Sequence, residues 1–517
     1  MSASDISLAI IKYVALVLFP YLALVAGFRL FLHPLRAYPG PLLARVSGVY
    51  TGFYALGMRL SSVTYYDLKK YGPVMRHGPN KLVFSTPQAL HDIYNNDRVT
   101  KSHVYELTIT SGNPSIFNAI DKLQHREKRK LIGQAITEKA MRSFEPTMLE
   151  QIDVFIRQIE LASSGTDSKP VNMTNLTKRL GADIVGQLAF GYAMNMQTDP
   201  TYRFVLQGLA VGAYQNNSFM QWPLLKKLGL HQLVALFAGY SSRMKYKDML
   251  LTMIKARLSQ DKHARNDLYS FVVDHLDRDG SKGGVKTSEL WSEALFFFPA
   301  GGDTTTTAIS ALFFYLAHYR DAYTTLSSEI RNTFSDEISI VGGPKLASCR
   351  YLRACIDESL RLSPPVAGTL WRELYADQTD KGPFLVDGHV IPQGTQVGVS
   401  TYALHHDPDY FDDPFVFRPE RWLTENRDVL ARMNSAFNPF SVGARGCAGK
   451  AMAYLETSLV AAKTLWRFEF ELARGKIGQV GMKNETGRDK VPAEFQLHDT
   501  FGSRHNGPNL TFRAREG

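Results

Sequence analysis

The chain has 517 residues, of which 44% are hydrophobic, 11% aromatic and 21% charged, a composition that excludes a disordered, collagenous or low-complexity protein. Fifty-nine basic against 49 acidic residues give a formal charge of +10. With no basic arm or aromatic-basic repeat, that excess suits an anionic membrane surface or an acidic protein partner better than nucleic acid.

Three cysteines, Cys349, Cys355 and Cys447, cannot build a disulfide framework in a chain this long, which fits a reducing compartment. At about 150 residues per domain the length would give three or four domains. No Gly/Ser-rich or charge-run linker follows residue 45, however, and no repeat recurs. One catalytic unit over residues 46–517 is expected.

Residues 6–28 are apolar except for Ser7 and Lys12, long enough for a helix to span a bilayer. Lys12 lies near one end, within reach of the interface, and Pro20 is tolerated in such helices. The run is longer than a signal peptide and lacks a small-residue cleavage site. A transmembrane anchor is expected. Arg29, Arg36 and Arg45 follow it, and the positive-inside bias keeps the body in the cytosol, as in a single-pass protein of the endoplasmic reticulum membrane. Residues 29–45, with His33-Pro34 and Pro39-Gly40-Pro41, read as a stiff hinge.

Turns and short β-branched runs predict a hairpin over residues 72–86. Helical periodicity then dominates, over about 121–142, 146–162, 174–190, 200–215, 242–259, 288–319, 321–334 and 350–362. Short strands are expected near 383–398 and in the last 40 residues. The fold class is mainly α with minor β.

The most informative stretch is Phe440-Ser441-Val442-Gly443-Ala444-Arg445-Gly446-Cys447-Ala448-Gly449, followed by a helical pattern. A cysteine just before a helix N-terminus meets free N–H groups and the positive end of the dipole, both favouring the thiolate. Gly443 and Gly449 allow a tight turn and the close approach of a flat object. Arg445 suits an anionic group on that object. A buried structural cysteine in a Gly-rich turn is the alternative. As F-x-x-G-x-R-x-C-x-G, the segment resembles the haem-binding signature of cytochrome P-450.

Three further motifs follow the order of that family. Glu358 and Arg361 lie three apart and share one helix face. They resemble the E-x-x-R motif, whose third partner is expected at Arg421 in Pro419-Glu420-Arg421-Trp422. Ala300-Gly301-Gly302-Asp303-Thr304-Thr305 interrupts a buried, apolar helix with Pro299 and two glycines, which opens a groove beside it. The stretch resembles the family's acid–alcohol motif, with Asp303 and Thr304 as proton relay to bound dioxygen. His125 and Arg129 lie one turn apart. With Arg372 and Arg445 they resemble contacts to the haem propionates. His405 and His406 read as loop residues.

The resemblance covers nearly the whole chain and points to membrane-anchored filamentous-fungal members of specialised metabolism. It implies the cytochrome P-450 fold and haem b with Cys447 as axial iron ligand. Phe440, Gly443 and Gly449 would join the haem contacts, and the activity would be monooxygenation. Electrons would come from NADPH through a flavoprotein reductase, or with cytochrome b5. Arg126, Lys128 and Lys130 would dock that acidic partner. Phe117, Phe297, Ala300, Val366, Ala367, Gly368, Thr369 and Phe501 fall at pocket positions, suggesting an apolar substrate. A haem-thiolate isomerase or dehydratase, and a non-catalytic haem sensor, are the rivals.

Overall fold

Side chains 305–317 of the helix Thr304–His318 are all buried, so this helix has no wet face and must form the centre of the molecule. The computed structural model describes residues 3–109, 112–135, 137–164, 169–230, 240–261, 267–272, 287–378, 381–483 and 493–515. Around the central helix pack the helices Met173–Phe190, Arg320–Thr333, Arg350–Leu362 and Lys450–Arg467. Their apolar faces merge into the largest core cluster.

Local chemistry sets most boundaries. The Asn172 side chain caps the helix Met173–Phe190 by accepting from the Asn175 N–H at 3.0 Å, and Gly191 closes it in a left-handed conformation with φ 56°. The expected break near Pro146 lies elsewhere. The helix Lys122–Ala135 is followed by Glu138–Ser163, which runs through Pro146. Thr137 sets the start of the second helix, its hydroxyl accepting from the Ala140 N–H at 3.2 Å.

The hairpin forms as Val74–Gly78 paired antiparallel with Lys81–Phe84. It extends into a five-stranded sheet through Gln396–Val399, Arg372–Leu374 and Val99–Lys101. Patterning had not marked the edge strand Val99–Lys101. In a separate three-stranded sheet, Asn509–Ala514 pairs with Phe468–Leu472 and with Val171–Asn172. The result is mainly helical with minor sheet.

The N-terminal helix Ala3–Gly27 ends in a π-helical turn, Phe28–Leu32. The expected transmembrane span is not found: among the described residues no helix is long and apolar enough to cross a membrane. Side chains 3, 6, 8–11, 14 and 15 of that helix lie outside the described ones. The stretch read as a hinge is docked onto the body. Leu35 is fully buried, and the Arg76 N–H donates to the Pro39 carbonyl at 2.7 Å. The buried Arg76 guanidinium donates to the carbonyls of Arg29 and Pro79.

Behind the cysteine loop lies a buried ionic network. Glu358 accepts from Arg361 through both oxygens at 2.8 and 2.9 Å. It also accepts from Arg421 Nε at 3.0 Å, Trp422 Nε1 at 2.9 Å and the Arg418 N–H at 3.1 Å. Despite burial, these donors hold its carboxyl below the usual range. Arg361 continues to the carbonyls of His405 and Pro414.

His405 is not a loop residue. It is fully buried at the end of the helix Thr401–His405. Its Nε2 accepts from the Asn438 N–H at 3.0 Å, at the start of the cysteine loop, so Nδ1 carries the proton and faces the Arg361 carbonyl. Burial, reinforced by Arg361, pushes its pKa down to about 3, keeping that tautomer neutral. Breaking a buried ion network by removing one partner costs about 3–5 kcal/mol. Glu358→Gln is therefore expected to lower the thermal unfolding midpoint sharply, and an unchanged midpoint would contradict the role of this network.

Candidate active site

The loop that carries Cys447 is fixed by its own backbone. The Cys447 N–H donates to the Phe440 carbonyl at 2.9 Å, and Gly446 N–H to the Gly443 carbonyl at 3.0 Å. Gly443 has φ 75°, and a Cβ there would lie 1.9 Å from the Tyr94 carbonyl oxygen. Its close approach is thus to the protein's own backbone, not to a flat ligand. Gly449 has nothing within 4 Å of its Cβ position and leaves open space beside the sulfur.

The expected lowering of the thiol pKa is not the net result. Cys447 is exposed to the cavity, yet desolvation by the surrounding chain pushes its thiol up, against the Gly449 N–H and the charges of Arg129 and Lys450. The chain alone favours the thiol, and coordination to a metal supplies the anion. Cys349 and Cys355 are buried, with thiols raised by burial. They are inert by comparison.

Cys447 opens into a cavity of about 440 Å³. Lys101, His125, Arg129, Arg372 and Arg445 all line it. Arg445 donates to the carbonyls of Ala119 and Ile120 at 2.6 and 2.8 Å, and Arg129 donates to the Gly446 carbonyl at 2.7 Å. Lys101 and Arg372 are cross-strand partners in the antiparallel register, an arrangement that is destabilising for like charges. Burial and the neighbouring Arg372, Arg445 and Arg129 push the Lys101 ammonium well down. His125 is pushed down to about 3 by burial and the same cations, so it is neutral.

Among the described residues, no carboxylate forms an ion pair with Lys101, Arg129, Arg372 or Arg445. Lys101 and Arg372 are buried and Arg129 and Arg445 half-buried, and a buried cation without a counter-ion costs several kcal/mol. A flat ligand bearing carboxylates at one edge satisfies them, and haem with its two propionates is such a ligand. The residues fit the group. Lys101 carries no sequence signal, because its meaning depends on the strand register opposite Arg372.

Facing the cysteine, residues Phe298–Asp303 form a π-helical turn between the helices Thr287–Phe297 and Thr304–His318. The widened turn puts Ala300, Gly301, Asp303 and Thr304 on the cavity wall. Gly302 instead serves helix packing: a Cβ on Gly181 of the neighbouring helix would lie 2.9 Å from the Gly302 carbonyl oxygen. Thr304 Oγ1 donates to the Ala300 carbonyl at 2.6 Å, leaving its lone pairs free to accept. Burial raises the Asp303 carboxyl pKa, opposed by the charge of Lys178.

Phe117, Phe297, Val366, Phe501 and Phe440 also line the cavity. Ala367 packs in the core cluster around Trp371, Thr369 bridges to Ser400, and Gly368 faces the Asp499 carboxylate. None of these three is a lining residue. Lys128 is not a docking charge. It is buried, pairing with Glu293 at 3.1 Å and Glu289 at 3.4 Å on the distal helix. Arg126 and Lys130 are exposed. Sequence reasoning also passed over Phe296 and Glu293, which periodicity read only as helix.

The family model for cytochrome P-450 matches residues 39–495. The chain is 34% identical over 511 residues to cytochrome P-450 monooxygenase AKT7 of Alternaria alternata, covering 95% of each chain. It is 32% identical to cytochrome P-450 monooxygenase poxM of Penicillium oxalicum, over 95% of this chain and 93% of the relative. It is 30% identical to the trichothecene C-15 hydroxylase of Fusarium sporotrichioides, over 88% and 91%. With the cysteine loop, the basic cluster and the acid–alcohol turn around one cavity, the chain belongs to the cytochrome P-450 family and is a haem-thiolate monooxygenase.

Proposed function

We propose that this monooxygenase oxidises an apolar small molecule of fungal specialised metabolism with electrons from NADPH, delivered by a flavoprotein reductase or cytochrome b5. The observation that carries the reading is the placement of Asp303 and Thr304 across one cavity from Cys447. A haem-thiolate isomerase would have no use for that acid–alcohol pair. Bound there, haem b with a thiolate ligand supplies the activation of dioxygen.

The chain's own residues do the rest. Lys101, Arg129, Arg372 and Arg445 clamp the propionate carboxylates, and neutral His125 offers an N–H. Asp303, whose carboxyl holds its proton more tightly than usual, carries protons inward from the Lys178 side. Thr304 orients them by accepting at Oγ1 while it donates to the Ala300 carbonyl. The apolar walls exclude water and take the substrate. Arg126 and Lys130, on the outer face of the helix that carries His125 and Arg129, steer the acidic redox partner. The exposed apolar side chains Leu16, Val17, Phe19, Leu22 and Leu24 of the N-terminal helix support its role as a membrane tether, with the body on the cytosolic side of the endoplasmic reticulum.

Cys447→Ala is expected to abolish NADPH-dependent turnover, and retained turnover would refute the ligand assignment. Thr304→Ala should keep consuming NADPH while product per NADPH falls about tenfold or more; unchanged coupling removes the threonine from proton delivery. Reversing both exposed charges, Arg126→Glu with Lys130→Glu, should slow reductase-supported turnover and spare turnover driven by an organic hydroperoxide, which bypasses the reductase. Equal losses in both assays would place these residues elsewhere than at the docking face.

A further inference from the structure

Residues 115–118 form a tight turn on the cavity wall, closed by Asn118 Oδ1 accepting from the Ser115 N–H at 2.6 Å. Two buried side chains grip this turn, one at an N–H and one at carbonyls. Glu293, on the distal helix, accepts from the Ile116 N–H through both carboxylate oxygens at 3.0 and 3.1 Å. Lys101 donates to the carbonyls of Phe117 and Ile116. Glu293 is itself held by Lys128 at 3.1 Å. A buried carboxylate is costly unless it is paired and hydrogen-bonded, and here its hydrogen bonds end on the main chain of one short turn.

Between the two grips lies Phe117. Its ring stacks on Phe296 at 5.0 Å with an interplanar angle of 14° and meets Phe501 edge-on at 5.0 Å and 83°. Phe296 follows Glu293 by three positions, so one helix face supplies both the anchor of the turn and the platform for its ring. All three rings line the cavity. We infer that Glu293 is a positioning residue for substrate selectivity: by fixing the backbone at Ile116 it holds Phe117 against Phe296 and Phe501, making an aromatic wall that takes a flat apolar group of the substrate. The inference rests on the monooxygenase reading, in which this wall is substrate-facing.

The test uses the holoenzyme and optical titration with imidazole and phenylimidazole, which bind iron through the same ring nitrogen and differ by one phenyl group. Phe117→Ala is expected to weaken phenylimidazole about tenfold relative to imidazole, the scale of one well-placed aromatic contact. Glu293→Ala should lose a similar factor. The double variant should lose no more than Phe117→Ala alone, because the carboxylate acts through the ring. Unchanged discrimination in Glu293→Ala, or additive losses in the double variant, would overturn the inference.

Should Glu293→Ala fail to fold, Glu293→Gln keeps the volume and one acceptor but loses the charge facing Lys128. It should show a smaller non-additive loss and faster hydrogen exchange at the Ile116 amide. Wild-type exchange and discrimination together would overturn the inference. A wild-type protein without a thiolate-type carbon monoxide spectrum would instead sink the monooxygenase reading, a failure distinguishable from the others.

Discussion

Four cations gathered at one cavity, Lys101 and Arg372 buried and Arg129 and Arg445 half-buried, with no ion-paired carboxylate among the described residues, are the constraint around which this molecule is arranged. Lys101 and Arg372 face each other across two strands, and Arg129 and Arg445 reach the same cavity from a helix and from the cysteine loop. Nothing in hydrophobic burial or strand pairing favours that convergence; each element acting alone would be more stable with the charge in water. The cluster makes sense as half of an interaction whose anionic half arrives with the cofactor. The raised Cys447 thiol follows the same logic, since a bound metal would take its proton's place on the sulfur.

The fold is organised to hold these groups still. Glu358, Arg361 and Arg421 form a saturated network, and His405 passes its order to the Asn438 amide at the root of the cysteine loop. On the other side, Lys128, Glu293 and the Ile116 amide tie the His125 helix, the distal helix and the cavity wall together. The helix Lys122–Ala135 thus has three distinct faces: His125 and Arg129 toward the cavity, Lys128 toward the distal helix, and Arg126 and Lys130 toward solvent. Helical spacing separates them, because neighbours in sequence point about 100° apart.

Motifs with fixed local spacing were legible in the sequence. The cysteine loop, the Glu358–Arg361 pair and the Asp303–Thr304 turn each depend on residues within a few positions, and most helices followed from apolar periodicity. What escaped depends on contacts between distant segments. The charge of Lys101 acquires a role only through its register with Arg372, and Lys128 looks like a surface lysine until Glu289 and Glu293 are brought to it. Pro146 misled because the cap at Thr137 outweighs the proline as a start signal. The dipoles beside Cys447 are readable from sequence, whereas the desolvation that opposes them is set by distant segments.

The account comes down to sulfur on iron in this cavity. The absorption spectrum of the wild-type protein, reduced and bound to carbon monoxide, reads that bond without any substrate. The account predicts the red-shifted Soret band of a thiolate-ligated haem. A band at the position given by a histidine-ligated haem, or no haem band at all, would contradict it.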